Sequence, residues 1–389
     1  MMSECYYRDT VVEVDLDAIK HNIGEFRRHL SSDVKIMAVV KADAYGHGAV
    51  SVAKAALSSG VDWLGVAFLD EALELRAAGI KAPILVMGYI PPRGIPVGIE
   101  KEISLTISSL EAAEMIVQQV QKKGKKAQVH LKIDTGMGRL GLALEEVIPA
   151  IERLKQIQGL HLQGLFTHFA TADERDKTHT RTQYRRFSKI ITQLREKGIT
   201  FPIIHTSNSA AAIDLPEYAH NMVRIGIGMY GYYPSADVNH QVVNLQPALS
   251  LKTRIVHLKR PSAGEGVSYG RTYLSDGTRW IATLPIGYAD GYSRLLSGKG
   301  EVLVKGRRVP VVGRICMDQL MIDVTEVMPV SPDEEVVVYG RQGTEAIFAS
   351  EIANLLSTIP YEITCMISRR VPRIYLENGR VIAKMNRLG

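Results

Sequence analysis

At 389 residues the chain exceeds the usual size of a single domain, so two are expected. A hydrophobic content of 46% with 23% charged residues excludes a disordered chain, and a net charge of +6 is too modest to call for nucleic acid. Three scattered cysteines, Cys5, Cys316 and Cys365, exclude a disulfide framework and a zinc-type site, so no metal is expected. The first residues carry Glu4, Arg8, Asp9 and Glu13 without an apolar stretch, and the apolar segment 83–99 is broken by proline and glycine. A cytoplasmic protein with no membrane partner is the expectation.

Val11-Val12-Glu13-Val14 alternates like a strand, and Asp15 then caps an amphipathic helix through Ile19, Ile23, Phe26 and Leu30. Strand-like apolar runs follow at 36–40, 63–67, 84–87, 104–107, 128–133, 163–168, 203–206 and 222–225, with helical patterns between most of them. Eight β/α units in roughly 200 residues match a closed (β/α)8 TIM-type barrel, an α/β fold. After Pro234 the runs become short and alternating, at 249–258, 280–284, 302–304, 309–313, 321–324, 336–339 and 374–375, with one helix at 350–356. These predict a second, mainly β domain. The expected division is a strand in 1–14 that joins the β domain's sheet, a cofactor-binding barrel in 15–240 and the β domain in 241–389.

Polar residues gather where the barrel strands end, which is where such barrels keep their reactive groups. Lys41 closes the first barrel run, and a partly desolvated amine there is a better nucleophile toward a carbonyl. Gly46 and Gly48 permit a tight turn after it, and Tyr45 brings a hydroxyl. Asp134 through Arg139 follow the fifth run and His168 ends the sixth. Ser207-Asn208-Ser209 opens a short helix after the seventh, and Arg224-Ile225-Gly226-Ile227-Gly228 follows the eighth with glycines that let N–H groups approach an anion. One amine, one phosphate cradle and an arginine on one rim describe a pyridoxal phosphate site. Each part also has a structural reading: Lys41 snorkelling to solvent, Arg139 in a rim ion pair, His168 in the core, the glycines relieving packing.

The motif Val39-Val40-Lys41-Ala42-Asp43-Ala44-Tyr45-Gly46-His47-Gly48 is similar to the cofactor-lysine signature of the alanine racemase family. The segment 130–139, Asn208-Ser209-Ala210, Gly287-Tyr288-Ala289-Asp290-Gly291-Tyr292 and the segment 312–319 also resemble that family, in the same order over nearly the whole chain. The resemblance implies a racemase that interconverts L-alanine and D-alanine, with Lys41 carrying pyridoxal 5'-phosphate as an internal aldimine. It implies that Tyr45, Ser209, Gly226, Ile227 and Tyr361 hold the phosphate, that Asn208 and His168 also belong to the cofactor site, and that Arg224 faces the pyridine nitrogen; His168 and Arg224 are expected to form a polar chain toward Tyr269. Arg139 would meet the phenolic oxygen and the substrate carboxylate, steadied by Lys132, which the family often holds as a carbamate. Tyr269 would be the second catalytic base, reaching in with Met317 from the partner subunit of a head-to-tail homodimer. Tyr288 would narrow the entrance. Other readings are a racemase with broader or serine preference, a decarboxylase of the same architecture, and a non-catalytic cofactor-binding protein.

Overall fold

The structure is a computed structural model that describes residues 5–388. It divides into two compact units: Met1–Ala18, Tyr45–Gly48 and Pro247–Gly389 form one, and Ile19–Ala44 with Ala49–Gln246 form the other. The divisions fall at 18/19 and 246/247, not at 14/15 and 240/241. Residues 45–48 are also drawn out of the barrel sequence. The reason is close packing with the β unit's chain: a Cβ on Gly46 would stand 2.2 Å from the Thr364 oxygen, and one on Gly48 would stand 1.8 Å from the Tyr375 hydroxyl.

The first strand, β1 (Val11–Asp15), belongs to the β unit, and the next eight close a parallel barrel. They are β2 (Lys35–Val39), β3 (Trp63–Val66), β4 (Ile84–Val86), β5 (Ser104–Ile107), β6 (Ala127–Lys132), β7 (Leu160–Phe166), β8 (Ile203–His205) and β9 (Met222–Ile225). Closure comes from β2 pairing with β9 in register Lys35↔Met222 to Ala38↔Ile225. Strands β3, β4, β5 and β9 are buried at every position, as expected for a sheet covered on both faces. Helices alternate with them, and their ends obey local chemistry. Ser109 caps Leu110–Lys123 by accepting from the Ala112 N–H at 3.1 Å, and Gly124 ends that helix at φ 63°. Met37, Trp63, Leu85, Ile203 and Met222 pack one buried layer of the barrel.

In the β unit, β1 pairs antiparallel with β10 (Leu249–Arg254). The remaining strands are β11 (His257–Lys259), β12 (Gly266–Val267), β13 (Tyr273–Leu274), β14 (Ile281–Leu284), β15 (Glu301–Val304), β16 (Arg307–Val312), β17 (Leu320–Asp323), β18 (Glu335–Gln342), β19 (Glu345–Ile347), β20 (Arg373–Glu377) and β21 (Arg380–Met385). One sheet runs β11-β14-β17-β16-β15-β18-β10-β1-β20-β21, with β19 attached to β18, so β1 lies inside it, parallel to β20. The expected run 249–258 is two strands, because the chain changes partner at Ile255-Val256 from β1 and β18 to β14. The sequence reading passed over the two- and three-residue strands β12, β13 and β19, and over β21, whose exposed pattern carries no apolar alternation. Among the described residues no helix is long and apolar enough to cross a membrane.

Candidate active site

Lys41 stands two residues beyond β2 and is followed by four non-glycine residues in the left-handed region: Ala42 (φ 51°), Asp43 (φ 55°), Ala44 (φ 53°) and Tyr45 (φ 53°). Such backbone costs about 1–2 kcal/mol per residue, so it persists only where its surroundings hold it. The Ala44 N–H donates to the Val40 carbonyl at 3.0 Å, and the Ala49 N–H to Asp43 Oδ1 at 2.9 Å. Glu71 contributes a third tie. Its Oε2 accepts from the N–H groups of Ala67 and Phe68, capping its own helix, while its Oε1 reaches across to the Ala42 N–H at 2.6 Å. The Tyr230 hydroxyl donates to the Val39 carbonyl at 2.8 Å, anchoring the end of β2 to the segment after β9.

Arg224, on β9, is buried and donates five hydrogen bonds. One terminal nitrogen reaches His205 Nδ1 at 2.9 Å and the His205 carbonyl at 3.2 Å. The other reaches the carbonyls of Thr167 and Thr206, both at 2.8 Å, and His168 Nδ1 at 3.1 Å. A guanidinium only donates, so both imidazoles present a bare Nδ1 and carry their proton on Nε2. The His205 Nε2–H then donates to His130 Nδ1 at 3.0 Å, and the His130 Nε2–H to Gln163 Oε1 at 3.3 Å, which also accepts from Ser104 at 2.8 Å. The tautomer of each ring is thereby set by its neighbour. Gly164 makes room for this chain, because a Cβ there would lie 2.2 Å from His130 Nδ1. Burial first, and the Arg224 charge after it, hold His168 and His205 well below the ordinary imidazole pKa. Burial lowers Arg224 itself to about 9, so it remains a cation near neutrality. No carboxylate faces it among the described residues, and its Nε has no hydrogen-bond partner there.

Lys132 ends β6 as a buried amine 5.6 Å from the centre of the Phe166 ring. Burial, then the charges of Arg139 and Arg224, lower it to about 8 against the pull of Asp134. Asp134 spends its carboxylate on the N–H groups of Gly136, Met137 and Gly138 at 2.9–3.1 Å and so shapes the loop that carries Arg139. Arg139 is exposed and makes no ion pair among the described residues, although its charge is felt at Lys132 and His168.

After β8, the Asn208 side chain caps the helix Ser209–Asp214 by accepting from the Ala211 N–H at 3.0 Å. Beside that cap the buried Ser209 Oγ accepts from the N–H groups of Gly226 and Gly228 at 3.0 and 3.3 Å, and Ile227 lies between them. The serine proton has no acceptor among the described residues. Gly228 is close-packed: a Cβ would stand 2.6 Å from Phe26.

The other expected residues lie in the β unit. Tyr45 and Tyr361 face each other with ring centres 5.9 Å apart. Tyr269 is 72% exposed and Met317 53%, both high for large apolar groups, and Tyr288 is less so.

The family profile described as alanine racemase, N-terminal domain, matches residues 14–234, and that for the C-terminal domain matches 248–375. The chain belongs to the alanine racemase family. The alanine racemase 2 of Caldanaerobacter subterraneus subsp. tengcongensis is 49% identical over 383 residues, 98% of either chain. Among solved structures, alanine racemase of Clostridium difficile 630 is 44% identical with a TM-score of 0.94, covering 98% of this chain and 99% of that one. Alanine racemase from Bacillus anthracis with bound L-Ala-P is 46% identical with a TM-score of 0.92, covering 99% of both.

Sequence reasoning missed the His205–His130–Gln163 chain, the left-handed turn and the double role of Glu71. A signal for the first was present, since His130 lies between Val129 and Leu131 and His205 follows Ile203-Ile204. The turn had none, because alanine and aspartate rarely adopt that backbone.

Proposed function

We propose that this chain interconverts L-alanine and D-alanine with pyridoxal phosphate held at the barrel rim by Lys41. The observation that carries the reading is Arg224: a buried cation without a carboxylate, with Nε unspent, on the same set of strand ends as an amine and a serine–glycine cradle. The donor set fits the cofactor. The Ser209 hydroxyl, whose own proton is unspent, and the backbone at Gly226 and Ile227 suit phosphate, Tyr45 and Tyr361 would add phenols, and Asn208 holds the helix that presents Ser209. Arg224 suits a pyridine nitrogen. Bound there, pyridoxal phosphate supplies an electron sink for the charge left at Cα when its proton is removed. That need is real: general acid–base help is worth about 3–5 kcal/mol, and enzymes lower barriers by at least ~8.

Lys41 holds the cofactor and moves the Cα proton on one face; Tyr269 of the partner subunit does so on the other. Arg224 keeps its own proton, so it would offer a bound cofactor's ring nitrogen a hydrogen bond and no proton, leaving a weaker electron sink that would favour return of the proton to Cα. His168, bare at Nδ1 beside Arg224, carries its proton on Nε2, on the side away from that cation. Arg139 receives the substrate carboxylate with the Met317 N–H of the partner subunit, and Tyr288 limits side-chain size. Lys132 is buried and easily neutral, which favours reaction with carbon dioxide to a carbamate that would pair with Arg139. The exposure of Tyr269 and Met317 supports a head-to-tail homodimer in which each chain completes its partner's site.

Borohydride treatment of the pyridoxal-phosphate-loaded protein should fix the cofactor on Lys41, and Tyr269→Phe should retain Cα proton exchange on one face while losing racemisation. Mixing Lys41→Ala chains with Tyr269→Phe chains should restore activity through one competent site per dimer. Absence of a Lys41 adduct sinks the cofactor assignment, and unchanged racemisation by Tyr269→Phe sinks the two-base assignment.

A further inference from the structure

The loop between β16 and β17 carries Cys316, Met317 and Asp318, and two of its peptide groups are locked by the segment 287–289. The Tyr288 N–H donates to the Cys316 carbonyl and the Ala289 N–H to the Met317 carbonyl, both at 3.0 Å. So close an approach demands glycine at 287, where a Cβ would stand 2.3 Å from the Cys316 oxygen and 2.4 Å from the Met317 oxygen. Both peptides are trans, so each N–H points opposite to its carbonyl. With the two carbonyls turned toward 287–289, the N–H groups of Met317 and Asp318 are turned away from it. Neither has a hydrogen-bond partner among the described residues. Two successive N–H groups presented in this way form a cradle for one anion.

A charged network sets this orientation. Asp290 is fully buried, and its Oδ2 accepts from the Gly287 N–H at 3.0 Å, closing the turn that bears Tyr288 and Ala289. Its Oδ1 accepts from Arg8 at 2.7 Å and from Arg370 Nε at 2.8 Å. Burial would raise the Asp290 carboxyl, but these three hydrogen bonds hold it below its ordinary range. Arg370 also reaches Asp318 Oδ1 at 2.7 Å, tying the second loop to the first. The electrostatics explain why an arginine is needed there. The Asp318 carboxylate sits on the residue whose N–H is offered, and uncompensated it would repel an arriving anion.

We propose that Asp290 is a positioning residue that, through the 287–289 turn, presents the Met317 and Asp318 N–H groups to the substrate carboxylate, and that Arg370, held on Asp290, cancels the charge that Asp318 would otherwise set against that carboxylate. This rests on the racemase reading above. Arg8 remains on Asp290 when Arg370 is changed, so the buried carboxylate stays paired and the fold is kept.

The test uses the full-length, pyridoxal-phosphate-loaded enzyme, alanine kinetics, and propionate as a carboxylate probe followed by competitive inhibition and by titration calorimetry. In Arg370→Gln, KM for alanine and the propionate dissociation constant should rise together about tenfold, the scale of one uncompensated charge a few ångströms away, with kcat within about twofold. Adding Asp318→Asn to that variant should restore most of the propionate affinity, which a merely structural role for Arg370 would not do. Asp318→Asn alone, at an exposed position that threatens no fold, should tighten propionate several-fold and more so at low salt. Unchanged KM and propionate affinity in Arg370→Gln, no recovery in the double variant, or unchanged or weaker binding in Asp318→Asn each overturn the proposal. Failure of the unaltered enzyme to racemise alanine would sink the racemase reading instead.

Discussion

Lowering the pH from 7.5 to 5.5 should destabilise the fold by about 3 kcal/mol through His130 and His205 alone. Both rings are fully buried, and burial drives His130 down to about 3 and His205 well below its ordinary value. An unfolded imidazole titrates near ~6.5, so below that pH the unfolded chain takes up protons that the folded one refuses. Stability is therefore complete above pH ~6.5 and is lost as the pH falls, by about 1.4 kcal/mol per ring one unit below it. His168 and His220 are lowered too, chiefly by burial, and add loss of the same sign. The carboxylates of Asp134 and Asp290 are depressed below their ordinary 3.8, so their contributions persist at pH 5.5 and fade only at lower pH. Urea unfolding at both pH values, followed by the fluorescence of Trp63, whose ring lies 5.3 Å from that of His130, measures the loss. Unfolding at pH 5.5 should take up at least one proton per chain, and His130→Gln should remove about half of the loss assigned to the pair. A pH-dependent loss below about 1 kcal/mol, or uptake of less than one proton, refutes the assignment of neutral, buried rings.

Three further outcomes follow from the same geometry. Arg224→Met strands the carbonyls of Thr167 and Thr206 and two imidazole nitrogens, and urea unfolding should show a loss of about 3–5 kcal/mol. Ser209→Ala removes one hydroxyl from the cradle, so fluorescence titration should show pyridoxal phosphate bound about tenfold more weakly while pyridoxal, which lacks the phosphate, is unaffected. Glu71→Ala unties the Ala42 N–H as well as its own helix cap, costing about 1–2 kcal/mol and speeding hydrogen exchange at Ala42. Glu146→Ala, which removes a similar cap at Ala143, should leave exchange at Ala42 unchanged.

Much of the barrel could be read from residue order. Strands such as Ser104–Ile107 and Met222–Ile225 are short apolar runs that only a sheet covered on both faces explains, and their ends name the rim where Lys41, His168, Ser209 and Arg224 stand. The β unit was less legible. Its edge strand β21 is exposed along most of its length, and the division of 249–258 into two strands depends on which neighbour each half meets. The charged cluster of Arg8, Asp290, Asp318 and Arg370 joins residues up to 362 positions apart, a separation no local pattern can bridge.

Sequence alone determined the (β/α)8 barrel, the β-rich remainder and the amine that follows the first barrel strand, because hydrophobic period and strand-end chemistry are written in neighbouring residues. Sequence placed the first strand with the β unit's sheet, but only the tertiary structure decided that it lies between β10 and β20, that four ordinary residues after Lys41 turn left-handed, and that carbonyls and two imidazoles rather than carboxylates surround Arg224. Those features depend on partners distant in the chain. A strained turn survives only when groups such as Glu71 hold it, and a buried charge takes whatever acceptors the closed barrel brings within 3 Å or so.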